Sequence, residues 1–131
     1  VQEKRDALVR YLLATQISEE RGFEPDSPHH GGWELTGDVK MRGFTTGANI
    51  SITCFVLEAL AAEKSELADA ARKRAKAWLA RCQNLPQDDR AGDGGFFFQA
   101  DRNNDANKAQ WTDAKHDAPR SYGSATADGL R

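Results

Sequence analysis

Between residues 3 and 16, Leu8, Tyr11, Leu12 and Thr15 fall at i, i+3, i+4 and i+7, the spacing of one apolar stripe on an α-helix. Residues 49–62 follow a different pattern. Asn-Ile-Ser-Ile-Thr-Cys-Phe-Val-Leu-Glu-Ala-Leu-Ala-Ala carries Glu58 as its one charge. A helix that is apolar nearly all round is expected to be buried on most sides, so 50–60 should be the most buried segment. Residues 66–83 return to the amphipathic pattern. Leu67, Ala71, Ala75, Trp78 and Cys82 form the stripe, and Asp69, Arg72, Lys73, Lys76 and Arg81 occupy the rest. A fourth helix is expected from about Ser124. The chain is therefore read as all-α.

Punctuation agrees with this division. Ser65 stands as an N-cap, with Glu66 and Asp69 favourably placed in the first turn of the third helix. Asn84 and Pro86 mark its end. Only Glu63 and Lys64 separate the second helix from that cap, which makes the two helices antiparallel neighbours. Residues 17–32, with Pro25 and Pro28, read as loop, and 99–120 as a long polar insertion. Amphipathic helices alternate with apolar ones. Two layers of helices account for that better than a simple bundle, in which each helix keeps one wet face.

The pattern also repeats. Tyr-Leu-Leu-Ala-Thr-Gln (11–16) matches Trp-Leu-Ala-Arg-Cys-Gln (78–83). Each is followed by a Gly-Gly-aromatic step, Gly31-Gly32-Trp33 and Gly94-Gly95-Phe96, and then by a helix start carrying Thr53 or Thr126. Such self-similarity sets the architecture. Residues 1–131 form one domain, with repeat one at about 3–62 and repeat two at about 66–131. Glycine pairs allow a tight, closely packed turn. The aromatic can plug between hairpins, and the glutamine can bond the backbone at the helix end.

These motifs resemble the prenyltransferase and squalene-oxidase repeat, the unit of the terpenoid-cyclase-like α/α toroid. Gln83 to Phe96 is similar to that repeat's glutamine-to-DGGF/W signature, and Gln16 to Trp33 is a looser copy. Tyr122 to Leu130 resembles the inner-helix start of uncharacterised bacterial members, and Ile52 to Leu60 a prenyltransferase inner helix. The resemblance implies a partial toroid of inner and outer helical hairpins. It also implies an apolar or isoprenoid ligand, for which Ile52, Phe55 and Val56 of the inner helix are the candidate contacts.

The two chemistries that the resemblance brings with it lack their residues here. A cyclase protonates an alkene with an Asp at an inner-helix start. In that place this chain has Asn49, Ser51 and Ile52 in one repeat and Tyr122, Ser124 and Ala125 in the other. Asp128 is the one nearby carboxylate, a weak catalytic candidate and more simply a helix charge. A prenyltransferase zinc site places His just before Thr-Cys, where Ile52 stands before Thr53-Cys54. A separate candidate is calcium. Asp101, Asn103, Asp105 and Asn107 alternate like the first half of a calcium loop, although Ala106 replaces its glycine and Thr112 its closing acid. His29, His30 and His116 read as surface residues, and Cys54 and Cys82 as buried thiols.

Composition narrows the classes further. A net charge of -2 over 131 residues leaves no basic footprint for nucleic acid. No apolar run reaches the roughly 18–20 residues of a membrane span. No targeting motif assigns a compartment. The first residue is Val1, and Arg131 falls inside a helical pattern, so the chain is read as a fragment of a longer toroid that self-associates or packs on further repeats. The leading expectation is a toroid portion that is catalytically silent, needs no cofactor and binds an apolar ligand or a partner. The alternatives are a polyprenoid cyclase or isomerase whose acid lies in other repeats, and a polysaccharide lyase on a related toroid.

Overall fold

The computed structural model describes residues 1–35, 42–86, 92–101, 107, 109 and 119–131. Among these described residues are four α-helices: α1, Gln2–Thr15; α2, Ile50–Leu60; α3, Glu66–Arg81; and α4, Gly123–Gly129. Among the described residues there is no strand. The nearest approach to one is a single antiparallel bridge between Gln83 and Phe96. The all-α expectation is met. None of these helices is long and apolar enough to cross a membrane.

The caps explain where two helices start. The Asn49 side chain accepts a hydrogen bond from the Ile52 N–H at 3.0 Å, and Ser65 accepts one from Ala68 N–H at 3.3 Å. Each satisfies an amide that the first turn leaves without an intrahelical partner. Arg72 closes the turn between α2 and α3 by donating to the carbonyls of Leu60 and Glu63 at 2.7 and 2.9 Å.

α2 packs against both α3 and α4, and α1 packs against α3. Two apolar clusters result. One gathers Trp33, Val56, Leu60, Ala71 and Ala75, with Val9, Leu12 and Leu13 of α1 against it. The other holds Ile17, Ile50, Cys54, Trp78, Cys82, Phe96, Phe97 and Ala125.

Three expectations are corrected here. Of the stripe expected on α1, Leu12 faces the core and Thr15 is buried, but Leu8 and Tyr11 are both 54% exposed; Val9 and Leu13 join Leu12 in their place. α2 is not covered all round. Val56 and Leu60 are buried against α1 and α3, while Phe55 is 56% exposed and Glu58 and Ala59 face solvent. The loop over 17–32 is also more ordered than its composition suggests, for it holds a short 3-10 helix, Glu19–Arg21.

Candidate functional site

The two Gly-Gly-aromatic steps have the same hydrogen-bond frame. Gln16 Nε2 donates to Gly31 O at 2.9 Å, and Gln83 Nε2 to Gly94 O at 2.9 Å. Ile17 N–H donates to Gly32 O and receives Gly31 N–H on its own carbonyl, at 3.0 and 2.7 Å. Asn84 does the same with Gly95 and Gly94 at 2.8 and 2.9 Å. The aromatic amides then meet the threonines: Trp33 N–H to Thr53 Oγ1, and Phe96 N–H to Thr126 Oγ1, both at 3.0 Å. Asn49 N–H and Tyr122 N–H return to Trp33 O and Phe96 O at 3.1 and 3.2 Å.

The glycines are required by this frame. Gly31 has φ of 98° and Gly94 of 75°, in the left-handed region that side chains avoid. A Cβ on Gly32 would stand 2.6 Å from Ala48 Cβ, and one on Gly95 would stand 2.6 Å from Ser121 Cβ. The signature's acid, Asp93, accepts from Gly95 N–H at 2.9 Å and from Ser121 Oγ at 2.8 Å, which is structural work. Gln16, Gln83, Trp33, Phe96 and Asp93 are therefore all spent on holding the turns.

The other chemistry-bearing groups meet between α2 and α4. Ser51 Oγ donates to Asp128 Oδ2 at 2.6 Å. Arg131 reaches Asp128 at 3.7 Å and Glu58 at 2.7 Å, and its guanidinium lies 5.1 Å from the centre of the Phe55 ring. The structure thus places Asp128 beside Ser51 and Arg131 as an acceptor and an ion-pair partner. Burial, aided by the Asp128 charge, pushes the Cys54 thiol up to about 11. The same two causes raise the Tyr122 phenol. Beyond this cluster lies a groove of about 450 Å³ floored by Cys54, Leu57, Ala61 and Leu79, with Arg72 and Lys76 along one side.

The sequence-predicted ligand contacts separate. Phe55 is exposed under Arg131, Ile52 is half-buried and Val56 is buried in the α1–α2–α3 cluster. Of the calcium candidates, Asn103 and Asp105 lie outside the described residues. Asn107 is buried and locked to Gln99, accepting from its N–H at 3.0 Å and donating to its carbonyl at 3.2 Å. Asp101 Oδ2 lies 3.5 Å from His29 Nε2. Among the described residues no three His, Cys, Asp or Glu side chains converge as metal ligands do.

His29 and His30 are not surface residues. His30 is 9% exposed, with Nε2 3.0 Å from Glu19 Oε2. Burial lowers the His29 pKa against the opposing charge of Asp101. His116 lies outside the described residues.

Sequence reasoning missed a buried ion pair. Arg21 Nη2 donates to Glu34 Oε1 at 2.7 Å, with both side chains at most 3% exposed. Arg21 also donates to Thr15 O and Phe44 O, and Glu34 Oε2 accepts from the hydroxyls of Thr45 and Thr46. Two charges in a polar loop carry no periodic signal that could have exposed them.

No family model, curated protein or solved structure matches the chain.

Proposed function

We propose that these residues form part of an α/α toroid built from prenyltransferase-like and squalene-cyclase-like repeats. This part is catalytically silent and holds an apolar ligand. The carrying observation is the hydrogen-bond frame made twice, from glutamine to glycine carbonyl and from aromatic amide to threonine hydroxyl. Two equivalent turn frames, each leading from an amphipathic helix into the next helix, are the repetition from which helical repeat proteins are assembled.

Silence rests on the groups present. General acid catalysis needs a group free to deliver its proton to the substrate. Asp128 is engaged by Ser51 and Arg131, and Cys54 is buried with its thiol pushed up to about 11. Ligand binding rests on the exposed side of α2, where Phe55 leaves 56% of its surface to solvent.

The test has two arms. Incubation with squalene, and with farnesyl diphosphate plus a thiol peptide, should give no product by mass spectrometry. Squalene dispersed in detergent should raise the melting temperature, because a ligand that prefers the native state stabilises it. Phe55→Glu should remove that shift. Turnover in the first arm, or no shift in the second, would overturn the corresponding half of the reading.

A further inference from the structure

A second crevice lies between the two amphipathic helices, away from α4. Arg10, Leu13 and Ala14 of α1 line it together with Leu67 and Arg74 of α3 and Glu20 of the 3-10 helix, and it holds about 260 Å³. Both walls are helices of the two repeats, so the junction of the repeats forms it. Leu67 opens the apolar stripe of α3, yet it stands 71% exposed at this crevice. Two of the charged groups are anchored by buried polar partners. Arg74 Nε donates to Gln16 Oε1 at 2.9 Å, and Gln16 is fully buried in the frame of the first repeat. Ser18, 1% exposed, donates its hydroxyl to Glu20 Oε2 at 3.0 Å. Opposite charges thus line one small crevice. Among the described residues, however, neither Arg10 nor Arg74 forms an ion pair with Glu20 or with any other acid. Glu19, the neighbouring acid, pairs with His30.

We propose that this crevice binds a free α-amino acid with an aliphatic side chain, such as leucine. The ligand carboxylate goes to Arg10 and Arg74, its ammonium to Glu20, and its side chain onto Leu13, Ala14 and Leu67. The lining selects a zwitterion. Two cations and one anion that are kept apart call for a ligand carrying both charges, and a ligand of one charge would leave one side without a partner. A guanidinium fixed at Nε presents its remaining N–H groups to a carboxylate as a fork. The volume of about 260 Å³ is below that of pockets for drug-sized molecules, which suits a ligand of single-residue size. The apolar contact discriminates against glycine.

The probe is leucine, titrated into the isotope-labelled 131-residue protein and followed by backbone amide shifts in NMR spectra. Saturable shifts are expected at residues 10–14 and 67–74. N-acetyl-leucine lacks the ammonium and leucinamide lacks the carboxylate, so each should bind about threefold more weakly, the scale of one exposed ion pair. Glycine should not saturate. Substitutions then assign each end of the ligand. Glu20→Gln should weaken leucine and leave N-acetyl-leucine unchanged. Arg10→Gln should weaken leucine and leave leucinamide unchanged. Both positions are exposed, so the fold should survive either change, and unaltered shifts elsewhere in the spectrum check it. Leu67→Glu, also at an exposed position, puts a like charge beside the ligand carboxylate and should weaken leucine at least about tenfold. No saturation at high millimolar leucine would overturn the proposal. So would equal affinity for leucine and N-acetyl-leucine, or leucine shifts confined to α2 and α4. The squalene arm above reads the Phe55 face, so it succeeds or fails independently.

Discussion

The backbone N–H of Trp33 donates to the hydroxyl of Thr53 at 3.0 Å, tying a loop to the first turn of α2 across twenty positions. Thr53 is fully buried, so water cannot replace it. Thr53→Val keeps the shape and removes the acceptor. It should cost about 1–3 kcal/mol, the desolvation penalty of an orphaned amide. Thr53→Ser keeps the acceptor and should cost clearly less. Thr126→Val should cost less than Thr53→Val, because Thr126 is only half-buried. Urea unfolding measures all three. Equal losses for Val and Ser at position 53 would mean that the hydroxyl holds nothing.

The glycines give a second prediction. A Cβ on Gly129 would lie 2.6 Å from the Phe96 ring, and one on Gly32 would lie 2.6 Å from Ala48 Cβ. Alanine at either should cost about 1–3 kcal/mol by overpacking. Gly123→Ala meets nothing within 4 Å and has no left-handed backbone to strain, so it should be neutral or slightly stabilising. Melting temperatures ranked in another order would contradict the packing.

How much of this was legible beforehand depends on whether the determinant is local. Helix boundaries, the Ser65 cap and the glycine turns are set by neighbouring residues, and the chain displays them. The threonine alignment was visible because both repeats carry it. The facing of α1 was not. Leu8 and Val9 are adjacent and equally apolar, and only the position of Trp33 and α2 selects Val9. The Arg21–Glu34 pair is formed by loop closure, which leaves no periodic trace. Asn107, read as a calcium ligand from its alternation with Asp101, bonds instead to the backbone of Gln99, a partner that spacing alone does not reveal.

The buried ion pair makes stability depend on pH. Burial raises the Glu34 pKa, but Arg21 and the bonds from Thr46 and Thr45 outweigh it, and the net shift is downward. A carboxylate with a depressed folded pKa contributes stability that is complete above its unfolded value of 4.5. That contribution is lost as pH falls through the folded value. His29 acts in an earlier window. Its folded pKa is lowered, chiefly by burial, so stability should begin to fall as pH drops below 6.5. Urea midpoints from pH 8 to pH 3 should therefore decline in two steps. His29→Gln should flatten the upper step. Glu34→Gln should flatten the lower one and cost about 3–5 kcal/mol at neutral pH by stranding the Arg21 charge. A single step near pH 4 that survives Glu34→Gln would rule out the assignment.

The last prediction concerns the thiols. Cys54 is 6% exposed and Cys82 fully buried, and neither is in a disulfide. Reactivity belongs to the thiolate. With the Cys54 thiol pushed up to about 11, roughly one molecule in ten thousand is ionised there at pH 7. Asp128 contributes to that shift after burial, because a second negative charge would form beside it. Neither cysteine should react with an aromatic disulfide reagent at pH 7.5 in native buffer, and both should react at once in 6 M guanidinium. Asp128→Asn removes one contributor to the Cys54 shift but leaves burial, the largest, so it should quicken native labelling only slightly. A thiol titrating rapidly in the folded protein would place a thiolate at the head of α2. Zinc or alkylation chemistry at Cys54 would then have to be reconsidered.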